Sequence, residues 1–265
     1  MDLAGYGPWA LIVGGSEGVG AAFARKLAAD GFKLVLLARK PGPLEELAAE
    51  LREQGAEVRI LSADLSKVEV LDRLREITDD IEVGLLIYNA GANDTRGNFV
   101  ELPREVTQGV IQITVVGQAD FARHYGALMC RRRRGGMILC GSLSNYMGAA
   151  SLAAYTAAKA FSRILSEALW SECGAFGVDV LHLVIGFTGT PAMARLGMDI
   201  SAAQSPEDCA AEGLDNIANG PVWIAGGEDN RERARQRSVI DNRREAIQKF
   251  ATPPRDVVAT KQEDQ

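Results

Sequence analysis

The sequence is poor in the residues that build metal centres and disulfide frameworks. Among its 265 residues are 2 histidines and 4 cysteines. Cys130, Cys140, Cys173 and Cys209 stand far apart with no C-x-x-C pair, so neither a zinc site nor a disulfide scaffold is written into the chain. Four reduced cysteines packed as small apolar groups suit a cytosolic protein. His124 and His182 are isolated from paired carboxylates, which points to structural roles and to no catalytic metal. No apolar run approaches the roughly 18 residues that a membrane span needs. The first residues lack a basic segment followed by an apolar run, so we expect no secretory leader, no membrane partner and a cytoplasmic location. Basic charge is not in excess: 29 Lys and Arg against 35 Asp and Glu give a net charge of −6. Binding to phosphate backbones draws on basic charge, so no nucleic-acid partner is expected.

What is present is a rhythm. Six near-continuous apolar runs fall at 10–13, 34–37, 58–61, 85–88, 137–140 and 178–184. Runs of this kind suit parallel strands covered on both faces. Between them lie amphipathic helical patterns, such as 20–29 with Phe23 and Leu27, and 43–54 with Leu44, Leu47, Ala48 and Leu51 on one face. Gly31 and Gly55 follow these helices as C-terminal stops. The succession predicts βαβ units and an α/β fold, a Rossmann-type doubly wound parallel sheet of about seven strands. A short seventh strand is expected near 221–225. Residues 1–251 read as one domain, with a helical lid at about 192–220 and a polar tail over 252–265.

Gly14, Gly18 and Gly20, in the run Gly14-Gly15-Ser16-Glu17-Gly18-Val19-Gly20, sit where the first strand turns into the first helix. Glycines there let backbone N–H groups approach a pyrophosphate at the helix N-terminus. The second strand ends in Ala38-Arg39-Lys40. An acidic residue at that position would favour the ribose diol of NAD, whereas an arginine accommodates the 2′-phosphate of NADP. Arg39 therefore favours NADP(H) over NAD(H). Glu17 argues the other way, by placing a carboxylate in the same loop. Further on, Tyr155 and Lys159 stand at i and i+4, on one helical face. Ser142 precedes them at the end of the fifth strand. A ketone accepting hydride builds negative charge on its oxygen, and a positioned phenol can protonate it. A neighbouring ammonium is expected to lower the phenol's pKa.

The G-x-x-x-G-x-G spacing, with Ser142, Tyr155 and Lys159 in order behind it, resembles the short-chain dehydrogenase/reductase family from about Trp9 to the Pro191 region. The resemblance implies that Tyr155 is the acid/base, that Lys159 tunes it and binds the nicotinamide ribose, and that Ser142 orients the substrate. It also implies that Ser16, Glu17 and Val19 line the phosphate loop. On the same resemblance, Asp64 and Leu65 would contact adenine, and Asn89, Ala90 and Gly91 would pass beneath the adenosine ribose. Ile185, Gly186, Thr188 and Thr190 would, by the same resemblance, line the nicotinamide, with the Thr190 hydroxyl on the carboxamide. Three positions depart from the family pattern. Val13 replaces a threonine, Ile185 a proline, and Thr114 the asparagine that helps hold a water in the proton relay; Thr114 keeps one hydroxyl for a partial relay.

The expected activity is reduction of a ketone, or oxidation of the secondary alcohol, on a hydrophobic, steroid-like or acyl-like small molecule. Asn93, Asn145, Tyr146, Phe187 and Met193 are candidate pocket residues. A nucleotide-binding regulator with little turnover is the alternative, and another reaction on the same fold, such as enoyl reduction, epimerisation or dehydration, a third reading. By resemblance, a homodimer or homotetramer forms through helices near 105–128 and 155–173. The Arg131–Arg134 run reads as a solvated helix end on the rim away from the cofactor. Residues 230–244 read as a charged, solvated helix.

Overall fold

Aliphatic runs without a polar face must be covered on both sides, and the chain does this by stacking them into one sheet. The computed structural model describes residues 4–91, 96–239 and 241–251. Its strands are β1 (Trp9–Val13), β2 (Lys33–Ala38), β3 (Val58–Ser62), β4 (Val83–Tyr88), β5 (Gly135–Cys140), β6 (Val178–Val184) and β7 (Val222–Ile224). Every neighbouring pair is parallel, in the order β3-β2-β1-β4-β5-β6-β7. This is the Rossmann-type sheet that the sequence pattern implies, the short seventh strand included.

Side chains alternate between the two faces of a strand. Ala10, Ile12, Leu34, Leu36, Leu85 and Ile87 meet Phe23 and Leu27 of α1 (Gly18–Ala29) and Leu44, Leu47 and Leu51 of α2 (Pro41–Glu53). Leu11, Val13, Val35, Leu37, Leu86 and Tyr88 face the other way. There they join Val70 and Leu74 of α3 (Val70–Arg75) and Phe121, Tyr125 and Met129 of α5 (Gln118–Arg132). Helix α4 (Arg104–Ile111) runs into α5 through a π-helical turn, Gln112–Gly117. Helix α6 (Ala153–Gly174) lies beside both.

The stretch read as a lid divides in two. Its start forms the short α7 (Pro191–Arg195), whereas α8 (Pro206–Asp215) packs Cys209, Ala210 and Leu214 into the core against α1. Two helices close the described chain, α9 (Gly227–Ser238) and α10 (Arg243–Ala251). The polar tail, 252–265, lies outside the described residues. The Arg131–Arg134 run sits at the end of α5: Arg132 donates to the Val83 carbonyl at 2.6 Å and Arg134 to Glu82 at 2.9 Å. Both partners lie at the N-terminal end of β4, the rim opposite the strand C-termini. His182 is fully buried in β6, and His124 stacks edge-on against Tyr125 at 4.8 Å.

Candidate active site

Strand order reverses between β1 and β4, and a crevice opens there along the C-terminal strand ends. It forms a cavity of about 980 Å³ that runs from Arg39, Lys40, Asp64 and Leu65 past the glycine loop to Ser142, Tyr155 and Lys159. From β3 to β5 it crosses four interstrand steps, roughly 20 Å.

The glycine loop is held tightly from below. Gly14 N donates to the Leu37 carbonyl at 2.7 Å, and Asn89 Nδ2 to the Gly14 carbonyl at 3.0 Å. A Cβ on Gly20 would lie 2.0 Å from the Gly14 oxygen, so only glycine lets α1 start this close to β1. Gly20 therefore supports the loop from beneath, whereas Gly14, Ser16, Glu17, Gly18 and Val19 line the cavity. Val13 lacks a hydroxyl, yet its carbonyl accepts from both Asn89 N and Ala90 N at 2.9 Å, so backbone bonds join the two segments. Glu17 occupies the N-cap of α1 but gives the helix no side-chain cap. Its carboxylate instead takes two hydrogen bonds from Arg195 of α7, at 2.6 and 2.9 Å, and this pairing holds its pKa below the ordinary carboxylate value. The first-turn amides of α1 are thus left to an anion.

At the other end, Ser142 leaves β5 and caps a 3₁₀ turn, Leu143–Asn145, by accepting from Ser144 N at 3.2 Å. Tyr155 and Lys159 come from α6. Lys159 Nζ lies 5.8 Å from the centre of the Tyr155 ring and donates to the Cys140 carbonyl at 3.0 Å. Burial lowers the Lys159 pKa to about 8. Burial also raises that of Tyr155, while the hydrogen bond with Ser142 works the other way. The sequence led us to expect a phenol acidified by Lys159; here the loss of hydration prevails, and the group that opposes it is Ser142. The π-helical turn carries Thr114, fully buried, whose hydroxyl finds no hydrogen-bond partner among the described residues. Thr114 and Lys159 both adjoin Gly91: a Cβ there would lie 2.7 Å from Lys159 Nζ and 3.9 Å from Thr114 Oγ1.

The remaining expected residues divide. Asp64, Leu65, Asn89, Ala90, Gly91, Ile185, Gly186, Phe187, Thr188, Thr190 and Met193 line the cavity. The Thr190 hydroxyl is engaged at the N-terminus of α7, accepting from Met193 N at 3.3 Å. Asn145 and Tyr146, expected in the pocket, do not line it. Asn145 is buried against His182, with Nδ2 to Nε2 at 2.8 Å, and Tyr146 stacks with Arg163 at 5.2 Å in a separate small cavity. Asn93 lies outside the described residues. Sequence reading missed Arg195, which nothing near position 17 signals. It also missed the Val106, Val110 and Ile113 wall, whose helical spacing is a readable sign.

Comparison with known proteins decides the family. The family model for short chain dehydrogenase matches residues 8–200. The chain belongs to the short-chain dehydrogenase family. This family member is an oxidoreductase acting between CH–OH and C=O, as its relatives are. It is 31% identical over 241 residues to a 7beta-hydroxysteroid dehydrogenase of Clostridium sardiniense, covering 89% of this chain and 92% of that protein. It is 34% identical over 195 residues to a very-long-chain 3-oxoacyl-CoA reductase of Neurospora crassa, covering 72% of this chain and 58% of that one. Among solved structures, one from work on 7beta-hydroxysteroid dehydrogenase stereoselectivity superposes with a TM-score of 0.87 at 29% identity, covering 94% of this chain and 98% of its own. A short-chain dehydrogenase from Sphingobium yanoikuyae in complex with NADPH gives 0.77 at 27%, covering 97% of this chain and 99% of its own. The family uses a nicotinamide dinucleotide. The crevice fits one: uncapped amides at the α1 N-terminus, and a cavity long enough to reach from Arg39 to Tyr155.

Proposed function

We propose that this dehydrogenase is an NADP(H)-dependent reductase of an apolar ketone, steroid-like or acyl-like, working equally in reverse on the secondary alcohol. The observation that carries the reading is Tyr155, Lys159 and Ser142 at one end of a cavity whose other end presents Arg39 and Lys40. Those two cations receive a 2′-phosphate, and the Arg195–Glu17 pair neutralises the one carboxylate in the loop that would repel it. Asp64 and Leu65 hold the adenine, and the amides around Gly18 and Val19 receive the pyrophosphate. Gly186, Thr188 and Ile185 line the nicotinamide end. A NADPH-bound neighbour and hydroxysteroid and 3-oxoacyl-CoA relatives support the same reading.

When bound, the dinucleotide supplies hydride. Everything else falls to the chain. Ser142 donates a hydrogen bond to the substrate oxygen and fixes its orientation. The Tyr155 hydroxyl gives that oxygen its proton as negative charge develops. Lys159, with a pKa of about 8, is largely charged at neutral pH; its ammonium stabilises the phenolate that is left and binds the ribose hydroxyls. Its bond to the Cys140 carbonyl keeps the ammonium aimed. The Thr114 hydroxyl, beside Gly91 as Lys159 is, serves a shortened relay that returns the proton. Val106, Val110, Ile113, Leu152, Phe187 and Met193 exclude water around the reacting carbon.

Exposed Ile111, Val116, Phe161 and Ile164, on the neighbouring α4–α5 and α6, support a homo-oligomer through that face. Free cysteines support action in the reducing cytosol; among the described residues no helix is long and apolar enough to cross a membrane. The deciding experiment is initial-rate oxidation of NADPH and NADH with a panel of steroid and 3-oxoacyl ketones, in wild type and Arg39→Ala. We expect the NADPH preference to fall about 10- to 100-fold in the variant, the range of a charge-assisted hydrogen bond. An unchanged preference refutes the cofactor assignment. Bound cofactor with no turnover of any ketone favours the regulator instead.

A further inference from the structure

The face of β6 that turns toward α5 and α6 begins with Val178 and Val180 and then, by alternation, presents His182. Opposite the sheet, α6 buries Lys159, Ser162 and Ser166 at i, i+3 and i+7. A helix packed on a sheet ordinarily places aliphatic groups along such a stripe. Buried polar groups need hydrogen-bond partners. Lys159 has the Cys140 carbonyl; Ser166 meets His182, in a chain of fixed direction. Ser166 Oγ donates to the Ser162 carbonyl at 2.7 Å, which uses its single proton. Toward His182 Nδ1, 3.3 Å away, it can then only accept. The ring is neutral, its pKa lowered to about 3 by burial and by the charges of Lys159 and Arg163. Nε2 therefore carries no proton and accepts from Asn145 Nδ2 at 2.8 Å.

Each end of this chain meets a residue of the proposed centre. Asn145 closes the 3₁₀ turn that Ser142 opens: its backbone N donates to the Ser142 carbonyl at 2.9 Å, and Ser144 N to Ser142 Oγ at 3.2 Å. Ser166 lies two turns beyond Lys159, on the helix that also carries Tyr155. Two backbone bonds hang the turn from β6, Gly141 N to the Leu183 carbonyl at 2.7 Å and Leu143 N to the Ile185 carbonyl at 3.1 Å. The imidazole sits so close beneath Gly141 that no Cβ fits there. Backbone bonds thus fix the turn against β6, and Asn145, His182 and Ser166 carry the link onward to α6. We infer that His182 is a positioning residue: through Asn145 and Ser166 it locks the turn bearing Ser142 to the helix bearing Tyr155 and Lys159, and so sets where the Ser142 hydroxyl points relative to the phenol. It touches no reacting atom. This rests on the reading above of Ser142 as the group that orients the substrate. A misplacement of about 1 Å at such a group is enough to slow a reaction about 100-fold.

The experiment asks whether the chain acts through Ser142. Asn145→Leu removes the donor at nearly constant volume. NADPH oxidation is measured in Asn145→Leu, Ser142→Ala and the double variant, with whichever ketone of the panel above the wild type reduces fastest. Circular dichroism melts first establish that each variant is folded. We expect Asn145→Leu to lower kcat about tenfold and to leave the KM for NADPH within about twofold. In the Ser142→Ala background the same substitution should change kcat by less than about twofold. His182→Leu should repeat the pattern, and His182→Gln, whose Oε1 can still accept from Asn145, should recover most of kcat. Equal losses in both backgrounds overturn the inference, because a merely structural loss does not depend on Ser142. A Ser142→Ala variant with unchanged kcat strikes instead the orienting role of Ser142, and the positioning role with it. A second readout needs no turnover. The chain has 2 histidines, so ¹⁵N spectra of the imidazoles are assigned with His124→Gln. His182 should carry its proton on Nδ1, with an Nε2 signal that moves in Asn145→Leu. A ring protonated on Nε2 overturns the inference even where no ketone is reduced.

Discussion

Arg195 grips Glu17 with both guanidinium nitrogens, at 2.6 and 2.9 Å, across 178 positions of sequence. The pair joins α7 to the glycine loop, and both residues line the crevice. It also removes a contradiction. A carboxylate at the N-cap of α1 would compete for the amides that a pyrophosphate needs, and would repel the phosphate itself. Turned to Arg195, it does neither.

Arg195→Gln should therefore weaken NADPH binding severalfold, and adding Glu17→Gln to it should restore most of the loss. Titration by fluorescence, arranged as a double-mutant cycle, reads the coupling. The pair is half exposed, so its direct share of stability is small and falls with salt. Because Glu17's pKa is held low, this share is complete above the ordinary carboxylate range and is lost as pH falls through the folded value.

Tyr155→Phe removes the hydroxyl that we propose as the proton donor and keeps the ring. We expect kcat to fall roughly 10²- to 10⁴-fold, with dinucleotide affinity little altered. Stopped-flow turnover and a separate cofactor titration check the two halves. Retained turnover would remove Tyr155 from the chemistry.

Lys159 has a pKa of about 8 in the fold against 10.5 for the free side chain. Activity should decline as pH rises above about 8 and the ammonium is lost. Stability should move the other way: from about pH 8 to 10.5 the folded lysine is neutral while the unfolded one still binds its proton, so stability rises. Lys159→Met should be inactive and more stable at pH 7 by about 1–3 kcal/mol, since it deletes a buried charge. The gain should shrink towards pH 10. Urea denaturation at pH 7 and pH 9 tests both signs.

His182 is buried between Asn145 Nδ2, 2.8 Å from its Nε2, and Ser166 Oγ, 3.3 Å from its Nδ1. The first contact makes Nε2 the acceptor and places the ring proton on Nδ1. A Cβ on Gly141 would fall 2.1 Å from Nε2, so the imidazole is wedged beneath the loop that presents Ser142. Its pKa is lowered to about 3 by burial and by the charges of Lys159 and Arg163. Stability should fall as pH drops from about 6.5 towards 3, where the unfolded imidazole is protonated and the folded one is not. The slope contributed is at most about 1.4 kcal/mol per pH unit. Chemical melts from pH 7 to pH 4 should show a shallower slope in His182→Gln.

Phe161 and Ile164, one helical turn apart on α6, are 37% and 55% exposed. If that face joins subunits, Phe161→Asp with Ile164→Asp should give monomers in analytical ultracentrifugation while leaving the circular dichroism spectrum of the fold. A wild type that sediments as a monomer would count against the oligomer.

The strands were legible because a sheet covered on both faces demands unbroken aliphatic runs, and helices between them demand a 3.6-residue stripe. The glycine loop and the Tyr155–Lys159 pair were legible for the same reason: each is a local pattern in which spacing alone brings groups together. Asn145 and Tyr146 misled because they follow Ser142 in sequence, yet the 3₁₀ turn sends one into His182 and the other outward.

By its order of residues alone, the chain determined a parallel α/β sheet, a glycine-rich turn from the first strand into the first helix, and a serine, a tyrosine and a lysine that meet in one crevice. Only the tertiary structure decided the rest: that Arg195 answers Glu17, that burial dominates the shift in the acidity of Tyr155, and that Asn145 turns to His182 rather than into the cavity. Those outcomes depend on distance and hydration between segments far apart along the chain. Both are set by packing, which no local spacing records.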